Sequence, residues 1–231
     1  IKPHAITEFG GIVNGDYTDI NNIQSIRSQN SILFGLLERT DRMEIAIPFT
    51  TGKSIWHIPE ENNYMPYKAV LFKPTPIGVP LDQVTGWEYT SRIHFYDLWK
   101  DVHGDRILIR SDNMDVLAQG FIDANKLYVA LNNLDDFDQP FNLNFNGVLP
   151  DISELKVKSL IVNPDTSAEY IIQTYIELPE TYMLNKNETV VLEYTFLEPV
   201  ETENEIQKQR YYSTNHLQAI QANNSINYDF N

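Results

Sequence analysis

The 231-residue sequence contains no cysteine. That absence removes disulfides, thiolate metal sites and a cysteine nucleophile together. Basic residues are scarce as well: 17 Lys and Arg stand against 32 Asp and Glu, a net charge of −15. The deficit argues against a nucleic-acid partner, whose binding rests on Lys and Arg neutralising phosphates. It also disfavours a strongly anionic polymer unless a local basic patch overrides the overall field. No apolar run approaches the roughly 18 residues that a membrane span needs. The chain opens on Ile1-Lys2-Pro3, with neither Met nor a charged-then-apolar signal segment, and is expected to be a fragment or a processed product.

What is present is enough to bury a core: 42% of residues are hydrophobic, in a length that suits one large domain or two modest ones. The pattern changes near Asp105. Before it, strands and helices alternate. A strand over Lys2–Phe9 ends in Gly10-Gly11. A helix is predicted over Asp19–Arg39, with Asp19 as N-cap and Ile20, Ile23, Ile26, Leu33, Leu36 and Leu37 recurring at three-to-four spacing. A short strand over Glu44–Thr50 is broken by Pro48, and the proline-rich stretch Thr51–Thr85 reads as a long functional loop. A second helix is expected over Gly86–Val102, with Trp87 and Trp99 as core packing on its apolar side.

After Asp105, strand signals follow one another. They fall at Arg106–Ser111, Asp115–Ile122, Lys126–Asn132, Phe141–Phe145, Glu154–Asn163, Ala168–Leu178 and Thr189–Leu197, with tight turns at Asp123-Ala124-Asn125 and Asn146-Gly147. Seven such strands predict an antiparallel β-sandwich. The fold class is therefore α/β followed by all-β. The expected divisions are residues 1–104, then a sandwich over 105–199, then a polar linker and the start of a second sandwich over 200–231.

The chemistry concentrates in Pro3-His4-Ala5-Ile6-Thr7-Glu8-Phe9-Gly10, where an apolar strand ends in one carboxylate. In parallel barrels the carboxyl ends of the strands form the active-site face, so a Glu there points into the pocket. A carboxylate fixed in that way suits the nucleophile of a retaining glycosidase. The same pattern also fits a Glu that merely closes a strand beside a turn. Other constellations are weak. The five histidines have no metal-ligand spacing, and Asp135-Asp136…Asp138 lacks the terminal ligand of a calcium loop.

Whole segments carry a resemblance. The stretch "ITEFGG" is similar to the nucleophile strand, the seventh, of the retaining (β/α)₈-barrel glycosidases. "LLERTDRMEIAIPF" (Leu36–Phe49), "FYDLWKDVHGDRI" (Phe95–Ile107), "FIDANKLYVALNNLDD" (Phe121–Asp136) and "RYYSTNHLQAIQAN" (Arg210–Asn223) resemble glycoside hydrolase family 86, the β-agarases and β-porphyranases. The resemblance implies that residues 1–104 are the last two βα units of a TIM barrel and that Glu8 is its nucleophile. The acid/base Glu would lie on an earlier strand, in a missing N-terminal part of the same enzyme. The implied activity is retaining endo-hydrolysis of β-linkages in agarose or porphyran, without a cofactor, by an exported bacterial protein. Trp56, just past the expected eighth strand, would floor a sugar subsite, because indole is the largest platform for sugar C–H faces. Lys53 and His57 beside it would reach sugar hydroxyls or a sulfate, and Asn14, Asp16 and Tyr17 would be rim contacts. Two other readings stay open: a barrel glycosidase acting on xylan or mannan, and a non-catalytic carbohydrate-binding sandwich.

Overall fold

The computed structural model describes residues 3–11, 14–39, 42–177 and 181–202. Its first elements form a parallel βαβ unit: β1 (His4–Phe9), α1 (Asp19–Leu37) and β2 (Met43–Pro48). Parallel strands need a crossover, and α1 supplies it. Ile23, Ile26 and Phe34 are its fully buried apolar residues. The N-cap is Thr18, not Asp19: the Thr18 hydroxyl accepts from the Asn21 amide at 2.9 Å. Asp19 sits in the first turn, where Tyr17 and Lys73 donate to it. The two glycines after β1 let it meet this helix closely. Gly10 has φ +150°, and a Cβ there would fall 2.9 Å from Gln29 Nε2, while one on Gly11 would overlap Ser28.

β1 is less buried than its composition predicts. Among the described residues it bonds only β2, and Phe9 is its one buried residue. The predicted helix over residues 86–102 is in fact two elements. β4 (Gly86–Tyr89) pairs antiparallel with β3 (Phe72–Thr75), and only Ile93–Trp99 forms α2. The buried Thr90 hydroxyl fixes the junction by donating to the carbonyls of Val70 and Leu71. Trp87 and Trp99 therefore lie on different elements. Both are half-buried, but Trp99 packs against the core, its indole N–H donating to Asn30 Oδ1 at 2.9 Å, whereas Trp87 lies on the hairpin.

The remaining strands are β5 (Asp105–Ile107), β6 (Val116–Asp123), β7 (Lys126–Asn133), β8 (Gln139–Phe141), β9 (Ile152–Ile161), β10 (Glu169–Tyr175), β11 (Tyr182–Leu184) and β12 (Glu188–Phe196). Six make one antiparallel sheet in the order β10-β9-β12-β7-β6-β5, and β8 pairs β11 separately. The predicted turn after Asp123 is present, with Asp123 opposite Lys126. The predicted Phe141–Phe145 strand stops at Phe141, leaving Phe145 exposed, and β11 has no counterpart among the predicted strands.

Alternation along the central strands feeds two cores, as a sheet covered on both faces requires. Leu127, Val129 and Leu131 join Leu155, Val190, Leu192 and Leu184 on one face. Tyr128 and Ala130 join Phe121, Leu160 and Val191 on the other, in the same cluster as Phe9, Ile23, Phe34, Phe95 and Leu98. The helices and the sheet thus share one apolar core. Charges are buried on that face too. Lys158, 2% exposed, bonds Asp101 at 2.5 Å and Glu193 at 3.2 Å, and Glu193 bonds Lys126 at 2.7 Å. The expected linker and second sandwich, including the strand-like Tyr211–Ile220, lie from residue 203 onward outside the described residues.

Candidate active site

The carboxyl ends of β1 and β2 open on one cleft. Thr7 and Glu8 from β1, Ile47 and Pro48 from β2, and the segment Phe49–Trp56 line a cavity of about 430 Å³. Of those lining residues Glu8 is the one acid and Lys53 the one base. Trp56 is 66% exposed, on a 3-10 turn over Ile55–His57. Its ring centroid lies 5.3 Å from that of Tyr67, which in turn meets Phe49 edge-on at 5.7 Å. Lys53 Nζ stands 4.6 Å above the Trp87 ring, a cation–π contact.

The cleft floor is held from behind. The Phe49 amide donates to the Phe9 carbonyl at 2.8 Å, tying the floor to the residue after Glu8. The Phe49 carbonyl accepts twice, from Gln29 Nε2 and from Arg92 Nη2, each at 2.8 Å. Arg92 is 2% exposed, and its Nη1 donates to the Asn22 carbonyl at 2.9 Å and to the Ser25 hydroxyl. Burial pulls its guanidinium down to about 10, which leaves it charged at neutral pH. These contacts give partners to the Asn22 carbonyl, the Ser25 hydroxyl and the Gln29 amide nitrogen, all on buried residues of α1, as groups removed from water require.

Three residues singled out in the sequence do not reach the cleft. His57 packs against Tyr67, and its Nδ1 faces the Met65 carbonyl at 3.3 Å. Tyr17 is buried, its hydroxyl donating to Asp19 Oδ1 at 2.7 Å. Burial first, and then the Asp19 carboxylate, push its ionisation far above the ordinary tyrosine range. Asn14 lines a separate polar crevice between α1 and the sheet. Asn14 and Tyr17 flank the bend at Gly15-Asp16 that precedes α1, and neither lines the cleft. Asp16 stays exposed at that bend, its carbonyl accepting from Asn21. Phe49, Tyr67, Trp87 and Arg92 were not evident as site residues in the sequence. Among the described residues no cluster of three His, Asp or Glu side chains could hold a metal, and no helix is long and apolar enough to cross a membrane.

Comparisons with known proteins give this geometry its context. The family described as porphyranase β-sandwich domain 1 matches residues 115–218. The chain is 39% identical over 235 residues to β-porphyranase A of Phocaeicola plebeius, covering 100% of this chain and 32% of that protein. A solved β-porphyranase of glycoside hydrolase family 86 from the human gut bacterium Bacteroides plebeius matches with a TM-score of 0.86 and 39% identity, over 100% of this chain and 40% of its own. The chain belongs to glycoside hydrolase family 86. A second family 86 structure, solved in complex with neoagarooctaose, matches with a TM-score of 0.85 and 26% identity over 100% of this chain and 37% of its own. This family 86 chain spans about a third of the length of the curated relative named above (32%).

Proposed function

We propose that this chain carries the closing βα units of a (β/α)₈ barrel over residues 1–104, and with them the nucleophile of a retaining endo-hydrolase of red-algal galactan. The observation that carries the reading is the meeting of Glu8, Lys53 and Trp56 in one cleft at the ends of two parallel strands. The names of its relatives supply the substrate class: a β-porphyranase on one side and an agar-oligosaccharide complex on the other. Glu8 attacks the anomeric carbon and forms a glycosyl–enzyme bond. A second carboxyl, held about 5–5.5 Å away, protonates the leaving oxygen and then activates the water that releases the sugar. That partner belongs to the remaining length of the enzyme, as do the other barrel strands. A polymer substrate fits an exported enzyme. The sandwich over residues 105–199 supports the barrel from behind.

Lys53 bears on the choice between agarose and porphyran. The chain as a whole repels anions, but within the cleft one cation balances one carboxylate. The reading is tested on the intact enzyme with agarose, porphyran, xylan and mannan, following the first products by NMR. Galactan cleavage with the β-anomer formed first is expected. Inverted products, or turnover confined to xylan or mannan, would overturn it. Trp56 offers a second check. Replacing it with alanine should raise KM on galactan oligosaccharides about tenfold, the equivalent of roughly 1.4 kcal/mol of stacking. An unchanged KM would remove Trp56 from the subsite.

A further inference from the structure

We infer that Arg92 is a positioning residue for the cleft: with Gln29 it clamps the Phe49 carbonyl, and through Phe49 it fixes the strand end that carries Glu8. The inference rests on the reading of Glu8 as nucleophile and adds to it a residue that touches no substrate.

The placement of Arg92 is costly for a merely structural group. Its guanidinium is almost wholly buried, and all its hydrogen-bond acceptors are neutral: the carbonyls of Asn22 and Phe49 and the Ser25 hydroxyl. Among the described residues it has no carboxylate partner. A buried cation without a counter-charge is disfavoured, and an apolar side chain of similar volume would pack with less penalty. What an apolar side chain lacks is the planar fork, whose two nitrogens aim in fixed and different directions. Here Nη1 grips α1 and Nη2 grips the floor, so the helix sets the height of Phe49.

The clamp reaches further than Phe49. The amide of the same residue donates to the Phe9 carbonyl, one residue after Glu8. Its aromatic ring meets Tyr67, which meets Trp56. Gln29 adds a second donor to the Phe49 carbonyl, and Gly10 lies against Gln29 with no room for a side chain. Asn22, one of the residues gripped, holds the loop before β3 through the Val70 carbonyl at 2.8 Å. Arg92 therefore sits where α1, the cleft floor and that loop converge. A shift of about 1 Å in a reacting group lowers rate on the order of a hundredfold, so loosening this junction should be read mainly in kcat.

The test uses the intact enzyme with Arg92→Met, Arg92→Lys and Gln29→Leu, each assayed well below its own melting temperature. Arg92→Met is expected to lower kcat by about a hundredfold with KM changed less than about threefold. Arg92→Lys should recover part of that loss, and Gln29→Leu should lower kcat by about tenfold. If Arg92→Met does not fold, Gln29→Leu decides, because it removes a donor to the same carbonyl without touching the buried charge. A folded Gln29→Leu or Arg92→Met enzyme with wild-type kcat overturns the inference, whatever its melting temperature. Glu8→Gln is run in parallel. Full turnover there sinks the nucleophile reading, whereas loss of turnover there beside an unaffected Arg92→Met sinks only the clamp.

Discussion

Glu8→Gln in the intact enzyme should lower kcat on agarose and porphyran by roughly a thousandfold or more, about 4 kcal/mol of transition-state stabilisation. The replacement keeps the shape of the side chain and removes the charge that attacks the anomeric carbon. Glu8 is exposed at the end of β1 and opens on the cleft, so the amide has nothing to disturb in the core. KM should stay within a few-fold, because Trp56 and Lys53 remain in place. The comparison must be made at equal fold content by circular dichroism. A variant that hydrolyses either galactan near the wild-type rate would return Glu8 to the plainer role of a carboxylate that closes a strand.

The second large effect concerns stability. Glu193→Leu should cost about 3–5 kcal/mol, the usual penalty for removing one partner of a buried ion pair. Lys158 would keep its buried ammonium with only the half-exposed Asp101 carboxylate beside it. Replacing Lys158 with Met in the same chain should recover most of the loss, since the orphaned charge then disappears. The effect is also pH-dependent. Burial pushes the Glu193 carboxyl up, but hydrogen bonds from Lys126 and Lys158 outweigh it and hold the group below the ordinary glutamate value. A carboxylate lowered in the folded state contributes stability above its unfolded pKa of about 4.3 and loses it as pH falls through the folded value. Calorimetric unfolding should therefore separate wild type from Glu193→Leu widely at pH 7, and the gap should close on acidification below about pH 4. A constant gap across that range would mean that packing, not charge, sets the cost.

Much of this was legible in the sequence where local pattern and tertiary contact agree. Ile23 and Ile26 read as a helix face and are buried as one. Val190 to Leu192 fall within a predicted strand and pack alternately on the two faces of the sheet. Residues 86–89 misled because Trp87 reads together with Ile93, Tyr96, Leu98 and Trp99 as one apolar helix side. Only their pairing with Phe72–Thr75, across an intervening loop, makes them a strand. β8 and β11 were unclear for a related reason: three-residue strands carry too little pattern to announce themselves. In the site, Trp56 and Lys53 could be placed because they follow a predicted strand end closely. Phe49 and Arg92 could not, because one acts through its backbone carbonyl and the other through burial. Tyr17 and Asn14 show the opposite failure, near Glu8 in the chain and away from it in space.

The apolar cluster shared by α1, α2 and the sheet bears on how such a protein can change over generations. Tyr128, Leu160 and Val191 meet Ile23, Phe34 and Leu98 in one packing unit. A β-module joined only by a tether can be traded between genes as a cassette. This sheet cannot, because a foreign replacement would arrive with a face cut for other helices. The sandwich is expected to be inherited together with the helices it covers, its substitutions on that face answered by compensating ones across the seam.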